Sequence, residues 1–501
     1  MVCTPSRSAF LTGLYPIHTG THHSVIANPE PWGLPTNLTT IADVFRNAGY
    51  STNLLGKWHL GFGKKEWTPT YRGFDYHYGF WGGYIDYYQR RVVFPIKNIT
   101  GHYSMGYDFR RNLELECGKP GAYITDLLTE EAERIITENN GTRPLFLMLN
   151  HLAPRTANYD ELLQAPEEEV KKFMYISDPK RRTYAAMVSK LDESVGRIIA
   201  ALKQANMLRN SIVLFQSDNG APTVGKMANT GSNWPLRGQK NTPWEGAVRV
   251  AGAIWSPLLQ SRMSIWRQPI YVGDWLPTLA AAADITLDPE LKLDGINLWP
   301  QLKQANTQQL QLVEREIVHN LDEIWHVVSY MRGMWKYVNG STVNGAYDQV
   351  MSFREEYDID PRAATYANVI NASVTHQLLK QYDQARMTAR RINKLRHDAQ
   401  INCGHMQRGC NALIEECLFN IEQDPCEQNN LVYEPEQAQT LLEMRVYVER
   451  YRRSAVPTLK MNGLAEYDAS RHNCAWSPFL EESVTAELAQ CNYFGQPCET
   501  A

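Results

Sequence analysis

Short apolar runs closed by turn residues alternate along this chain with long amphipathic stretches. That alternation confines the fold to the α/β class, with a largely parallel sheet. The runs Ser51 to Leu55, Leu145 to Leu149, Ile212 to Phe215 and Val248 to Ile254 have the length and composition of buried strands. Met187, Leu191, Val195, Ile198 and Leu202 recur at helical spacing, as do Ile124, Leu127, Leu128, Ala132 and Ile135. Both sets predict helices that cover a sheet. After about Leu302 the pattern changes to shorter strands, Trp335 to Val338 and Leu418 to Ile421. A closing helix follows, with Leu441, Met444, Val448 and Tyr451 on one face. The expected organisation is a large domain over 1–312 and a smaller α+β domain over 313–501. Ser352 to Gln407 carries Arg390, Arg391, Lys394 and Arg396 among many amides. It is expected to be a solvated helical insertion in the smaller domain.

At 501 residues and 43% hydrophobic, the chain has material for two cores. A net charge of -4 gives no global basic field, so a nucleic-acid partner is not expected and any polyanion must be met by local Lys and Arg clusters. The most apolar stretch, around Leu276 to Ile285, is interrupted by Pro277 and Asp284, which argues against a transmembrane segment. Cys117, Cys403, Cys410, Cys417, Cys426, Cys474, Cys491 and Cys498 are irregularly spaced, several of them in a cysteine-bearing tail. Such spacing suits disulfides of unassigned pairing better than a zinc site. Asn37, Asn98, Asn140, Asn339 and Asn371 each head an N-x-S/T triplet, which favours a glycoprotein of the secretory pathway. Met1 is followed at once by Val2 and Cys3, with no charged or apolar leader. The expectation is a chain truncated at its N-terminus, its precursor lysosomal or secreted if it has a signal peptide.

Three segments carry chemistry. In Cys3-Thr4-Pro5-Ser6-Arg7, Pro5 suits the first turn of a helix and places Cys3 near its N-terminus. Backbone N–H groups and the helix dipole favour an anion there, and a reactive thiolate is one reading. In Gly56-Lys57-Trp58-His59-Leu60-Gly61, an extended chain would point Lys57 and His59 to one side, towards one anion. Ser217-Asp218-Asn219-Gly220 follows the strand Ile212 to Phe215, and ligand sites in open α/β sheets gather at such strand ends. Taken alone, this last segment reads more readily as a turn.

C-x-P-S-R followed by T-G-x-Y at Thr12 to Tyr15, together with G-K-W-H-L-G, resembles the two signatures of formylglycine-dependent sulfatases. N-W-P-L-R-G at Asn233 to Gly238, W-E-G-A-V-R at Trp244 to Arg249 and D-W-L-P-T-L at Asp274 to Leu279 make the likeness strongest to the arylsulfatase B, N-acetylgalactosamine-4-sulfatase-like branch. The resemblance implies an alkaline-phosphatase-like sandwich built on a large mixed, mostly parallel sheet. It implies hydrolysis of sulfate esters, of glycosaminoglycan sugars or an aryl alcohol. Cys3 would be oxidised to formylglycine by the formylglycine-generating enzyme. The hydrated aldehyde attacks sulfur with one hydroxyl and expels sulfate with the other, a release that a plain serine ester lacks. Calcium, one ion, would be bound by Asp218, Asn219 and the modified Cys3. Arg7 and Lys57 would offset charge, His59 would hold or deprotonate the diol, and Lys240 would grip the sulfate and assist the leaving group.

Two departures from the family pattern stand out. The family places paired aspartates on a strand upstream of the cysteine, and this chain has nothing there. Weak calcium binding, a gap in the sheet and impaired activity are the expected consequences. Arg155 stands where close relatives carry a sulfate-binding histidine. Its fork can still bind sulfate, but it stays protonated and donates a proton poorly. His151, nearby, is expected to serve packing. The alternative functions are a catalytically inactive sulfatase-like protein and a phosphonate or phosphate ester hydrolase of the same superfamily.

Overall fold

The structure is a computed structural model and describes residues 1–95, 103–260, 264–304, 315–350, 366–382, 387–472 and 474–481. Its packing divides the chain into two interleaved units. One holds 1–23, 208–282 and 293–458; the other holds 24–207, 283–292 and 459–501. This grouping cuts across a sequential division near residue 312, because the N-terminal segment packs with elements that lie hundreds of residues later.

The second unit is built on a five-stranded sheet. β1 (Ser51–Lys57) lies between β2 (Tyr76–Phe80) and β7 (Leu145–Asn150), parallel to both. β5 (Arg110–Arg111) and β6 (Glu114–Leu115) extend it antiparallel beyond β2. A separate hairpin pairs β3 (Arg91–Pro95) with β4 (Tyr103–Tyr107). α3 (Ile41–Asn47) opens on a capping box in which Thr40 and Asp43 satisfy each other's N–H groups, and it packs on β1. α4 (Ile124–Glu138) and α6 (Pro179–Gln204) form where periodicity predicts helices; α4 packs on β1, β2 and β7, and α6 packs on α4, with the short α5 (Glu167–Lys171) against α6. β1 is buried at every position from Thr52 to Lys57. β7, equally apolar, is half-exposed at all six, and among the described residues β1 is its one strand partner.

The first unit begins with α1 (Cys3–Thr12) and α2 (Pro16–Thr19). Two strands, β8 (Val213–Gln216) and β9 (Gly252–Trp255), pair antiparallel. The run Val248 to Ile254 is therefore not one strand. Val248 ends the short helix α7 (Glu245–Val248), and the extended chain starts only at Gly252. The cause is tertiary: Glu245 is fixed from elsewhere, as described below. α8 (Trp275–Ala282) and α9 (Trp299–Lys303) follow. The shorter strands expected after Leu302 belong to an antiparallel sheet of four, in chain order: β10 (Glu316–Asp322), β11 (Val327–Arg332), β12 (Trp335–Asn339) and β13 (Cys417–Asn420). α13 (Ala438–Ser454) covers it with Leu441, Met444 and Val448 buried. The insertion contributes α10 (Tyr366–Ala372), α11 (Val374–Leu379) and α12 (Ala389–Asp398); its residues 352–365 and 383–386 lie outside the described residues.

Disulfides join Cys403 to Cys426 and Cys410 to Cys417; Cys117 and Cys474 are disulfide-bonded as well. Cys491 and Cys498 lie outside the described residues. No described helix is long and apolar enough to cross a membrane.

Candidate active site

α1 begins at Cys3, with Pro5 in its first turn, so the sulfur stands at the end of the helix where backbone N–H groups are unsatisfied. Cys3 is not disulfide-bonded and is 1% exposed. Lys240 Nζ lies 3.2 Å from Cys3 Sγ across 237 residues of sequence. The loop that carries the lysine is tied to the same end of α1, where Asn241 N–H donates to the Met1 carbonyl at 3.1 Å. One helical turn further on, Arg7 donates from Nε and Nη2 to Asp218 Oδ2, at 3.3 and 3.2 Å. Asp218 follows β8 by two residues, so the strand-end position read from the sequence is the one observed.

The Asp218 loop is held by a close backbone approach. Gly220 N–H donates to the Ala247 carbonyl at 2.9 Å, and a Cβ on Gly220 would fall 1.8 Å from the Gly246 carbonyl oxygen. Only glycine fits there. α7 is anchored in turn by Glu245, whose carboxylate meets Lys336 Nζ at 2.9 Å; Lys336 also pairs with Glu427 at 2.7 Å. All three groups are buried. Burial pushes the Glu427 carboxyl up, to about 7, against the pull of Lys336. Nothing in the sequence marks Lys336 or Glu427 as supports of this loop.

Lys57, His59 and Arg155 lie in the other unit. Lys57 is the last residue of β1, is 2% exposed, and its carbonyl accepts from Asn150 Nδ2 at 2.9 Å. The extended alternation that would put His59 on the side of Lys57 stops at Lys57. His59 turns to φ +64, a left-handed conformation that a histidine adopts at a cost. Its N–H donates to the Trp81 carbonyl at 3.0 Å and its Nε2 lies 2.9 Å from the Ile26 carbonyl. Gly83 leaves room for the ring: a Cβ there would sit 2.7 Å from His59 Cε1 and Nε2. Arg155 follows β7, stacks over the Tyr84 ring at 4.7 Å and donates from Nη1 to the Thr156 carbonyl. His151 Nε2 lies 2.9 Å from Ser194 Oγ of α6, and burial lowers its pKa to about 4.

Residues 1–285, more than half of the chain, match the sulfatase family model. The chain belongs to the sulfatase family. This sulfatase-family chain is 38% identical over 332 residues to mouse arylsulfatase J, covering 65% of this chain and 51% of that protein. It is 28% identical over 330 residues to human N-acetylgalactosamine-6-sulfatase, covering 64% and 59%. It spans between half and two thirds of the length of these relatives. Among solved structures it is similar to Ps i-CgsB, at 25% identity and a TM-score of 0.65 over 93% of this chain and 85% of that one. The sulfatase-family architecture, the alkaline-phosphatase-like fold expected from the sequence, is thus established by both routes.

Proposed function

We propose that this chain carries the catalytic residues of a sulfuric ester hydrolase acting on sulfated glycans, with Cys3 as the precursor of formylglycine. The observation that carries the reading is the Lys240 ammonium 3.2 Å from the Cys3 sulfur at the N-terminus of α1. A side chain so placed, with a cation beside it and backbone N–H groups behind it, suits a nucleophile that receives an anionic ester. The formylglycine hydrate, once formed, supplies a nucleophile that can expel sulfate internally. By the family pattern Lys240 and Lys57 draw the ester's negative charge, and Lys240 assists the leaving oxygen. His59 holds or moves a proton of the nucleophile, and Arg7 fixes Asp218 from the same helix. Arg155 is read as a sulfate ligand through its guanidinium fork.

Calcium is read as the metal. Among the described residues, Asn219 Oδ1 is buried and accepts no hydrogen bond, and the Asp218 carboxylate is adjacent to it in sequence. These are hard oxygen donors of the kind calcium takes, and a third comes from the modified Cys3. Calcium takes about six to eight oxygens, more than these residues supply, in keeping with the weak binding expected from the sequence. When bound, the ion adds positive charge beside the nucleophile. Asn37, Asn140 and Asn339 are exposed, as glycan attachment in a secretory or lysosomal compartment requires.

The relatives' names support the glycan class: one of those compared acts, by its name, on sulfated N-acetylgalactosamine. The test is expression in a eukaryotic secretory host, peptide mass analysis of Cys3, and turnover of an aryl sulfate with an aryl phosphonate as control. Conversion of Cys3 with sulfate release is the expected result. A converted Cys3 without turnover of either substrate would favour the inactive sulfatase-like protein, and phosphonate cleavage alone would favour the phosphonate hydrolase.

A further inference from the structure

Cys3 opens α1, and the opposite end of that helix is fastened by residues that no step of the proposed reaction uses. Gly13 N–H closes the helix on the Ala9 carbonyl at 2.9 Å. The Gly13 carbonyl then accepts two backbone N–H groups, from Asp294 at 3.0 Å and Gly295 at 2.9 Å. The Asp294 carboxylate reaches back over the same turn: Oδ2 accepts from Tyr15 N–H at 2.6 Å and lies 2.7 Å from His18 Nδ1. The other ring nitrogen of His18 lies 3.0 Å from Ser454 Oγ at the end of α13. Tyr271 OH adds a bond to the Leu14 carbonyl at 3.3 Å.

Asp294 is itself braced. Arg315 donates from Nη1 to the Asp294 carbonyl at 3.3 Å and from Nη2 to Asp274 Oδ1 at 2.5 Å. Asp274 accepts the N–H groups of Tyr271 and Ile296, each at 2.8 Å. A carboxylate near a helix C-terminus opposes the helix dipole, so Asp294 is not there to stabilise the helix electrostatically. Its bonds to Tyr15 and His18 give it a different use. A helix of ten residues is a stiff rod about 15 Å long, so a slip or tilt at Gly13 is delivered to Cys3 at the other end.

We propose that Asp294 is a positioning residue for the reaction, setting the height and rotation of α1 from its far end and hence where Cys3 stands beside Lys240. The proposal rests on the reading of Cys3 as the precursor of the nucleophile. It is tested in two ways that fail separately.

In the chain with Cys3 left as a thiol, alkylation of Cys3 by iodoacetamide under native conditions is followed by peptide mass for the wild type, Asp294→Asn and Asp294→Ala. Because the thiol is buried, the reaction reads the opening of α1. Asp294→Ala is expected to raise the rate about tenfold, the scale of losing a charge-assisted bond, with Asp294→Asn in between because its amide oxygen still accepts from Tyr15. Equal rates, or rates that simply follow the unfolding midpoint, overturn the proposal. If Asp294→Ala does not fold, Asp294→Asn and His18→Gln carry the same comparison. In the chain with Cys3 converted, kcat on an aryl sulfate is expected to fall about tenfold in Asp294→Ala, with KM little changed and partial recovery in Asp294→Asn. An unchanged kcat overturns the positioning role. A wild type without turnover sinks the hydrolase reading instead and leaves the alkylation rates to decide on the clamp.

Discussion

Lys57 and Cys3 are held by different means. Lys57 ends a strand in which every residue pairs with at least one of two neighbours, and His59, two positions on, is caught between the Trp81 and Ile26 carbonyls. Cys3 and Lys240 come from segments 237 residues apart and meet through side chains; Arg7 and Asp218 do the same across 211. In the first case the backbone ladder places the group; in the second, side-chain ties join segments whose loops are held by backbone bonds at Asn241 and Gly220. A sheet yields little to a single substitution on its surface, whereas a side-chain tie is lost with one residue.

The largest effect that tests this contrast comes from the ends of both arrangements. Lys240→Ala and Lys57→Ala are each expected to lower kcat/KM on an aryl sulfate by about a hundredfold or more, the scale seen when one charge-stabilising group is removed. Only Lys240→Ala should also free α1, read as faster alkylation of an unmodified Cys3. Equal acceleration in both variants would erase the distinction. Next come the glycines. Gly220→Ala forces a methyl group against the Gly246 carbonyl and Gly83→Ala forces one against the His59 ring. Both should destabilise, by about 1–3 kcal/mol, in a chemical denaturation series. Gly83→Ala has the softer neighbour and should lose activity before stability.

A smaller, pH-dependent effect separates the units further. Burial lowers the pKa of His77 to about 3, so the folded protein keeps it neutral while the unfolded chain protonates near 6.5. Between those values the unfolded state binds more protons, so stability falls as pH drops through that window and is fully present above it. His77→Gln should flatten the acid limb of a melting-temperature profile, and an unchanged limb would remove burial of this imidazole as its cause. The smallest effect is expected on the exposed α12. Lys394→Gln removes a surface pair with Asp398 that solvent screens and should leave both turnover and melting temperature as they were.

The sequence revealed what local periodicity and short motifs encode. The helices at Ile124 and Met187 and the closing helix follow from helical spacing, while the strand at Leu145 follows from a short apolar run and is half-exposed throughout. The strand end before Asp218 is legible for the same reason. Val248 was assigned to a strand because an apolar run says nothing of Lys336, ninety-odd residues away in sequence, which holds Glu245 and with it a helical turn. The left-handed backbone of His59 is not legible in the sequence for a related reason: it comes with long-range contacts to Ile26 and Trp81. That Lys240 faces Cys3 could be expected from family resemblance but not from spacing.

The depth at which Cys3 lies has a temporal consequence. With 1% of its surface accessible, the thiol offers no purchase to another protein once α1 has docked. If Cys3 is oxidised to formylglycine as proposed, the oxidising enzyme must win a race against the docking of that helix. Substitutions that hasten or tighten docking would yield a better-folded product with a smaller mature fraction, so yield of folded chain and yield of competent chain need not rise together.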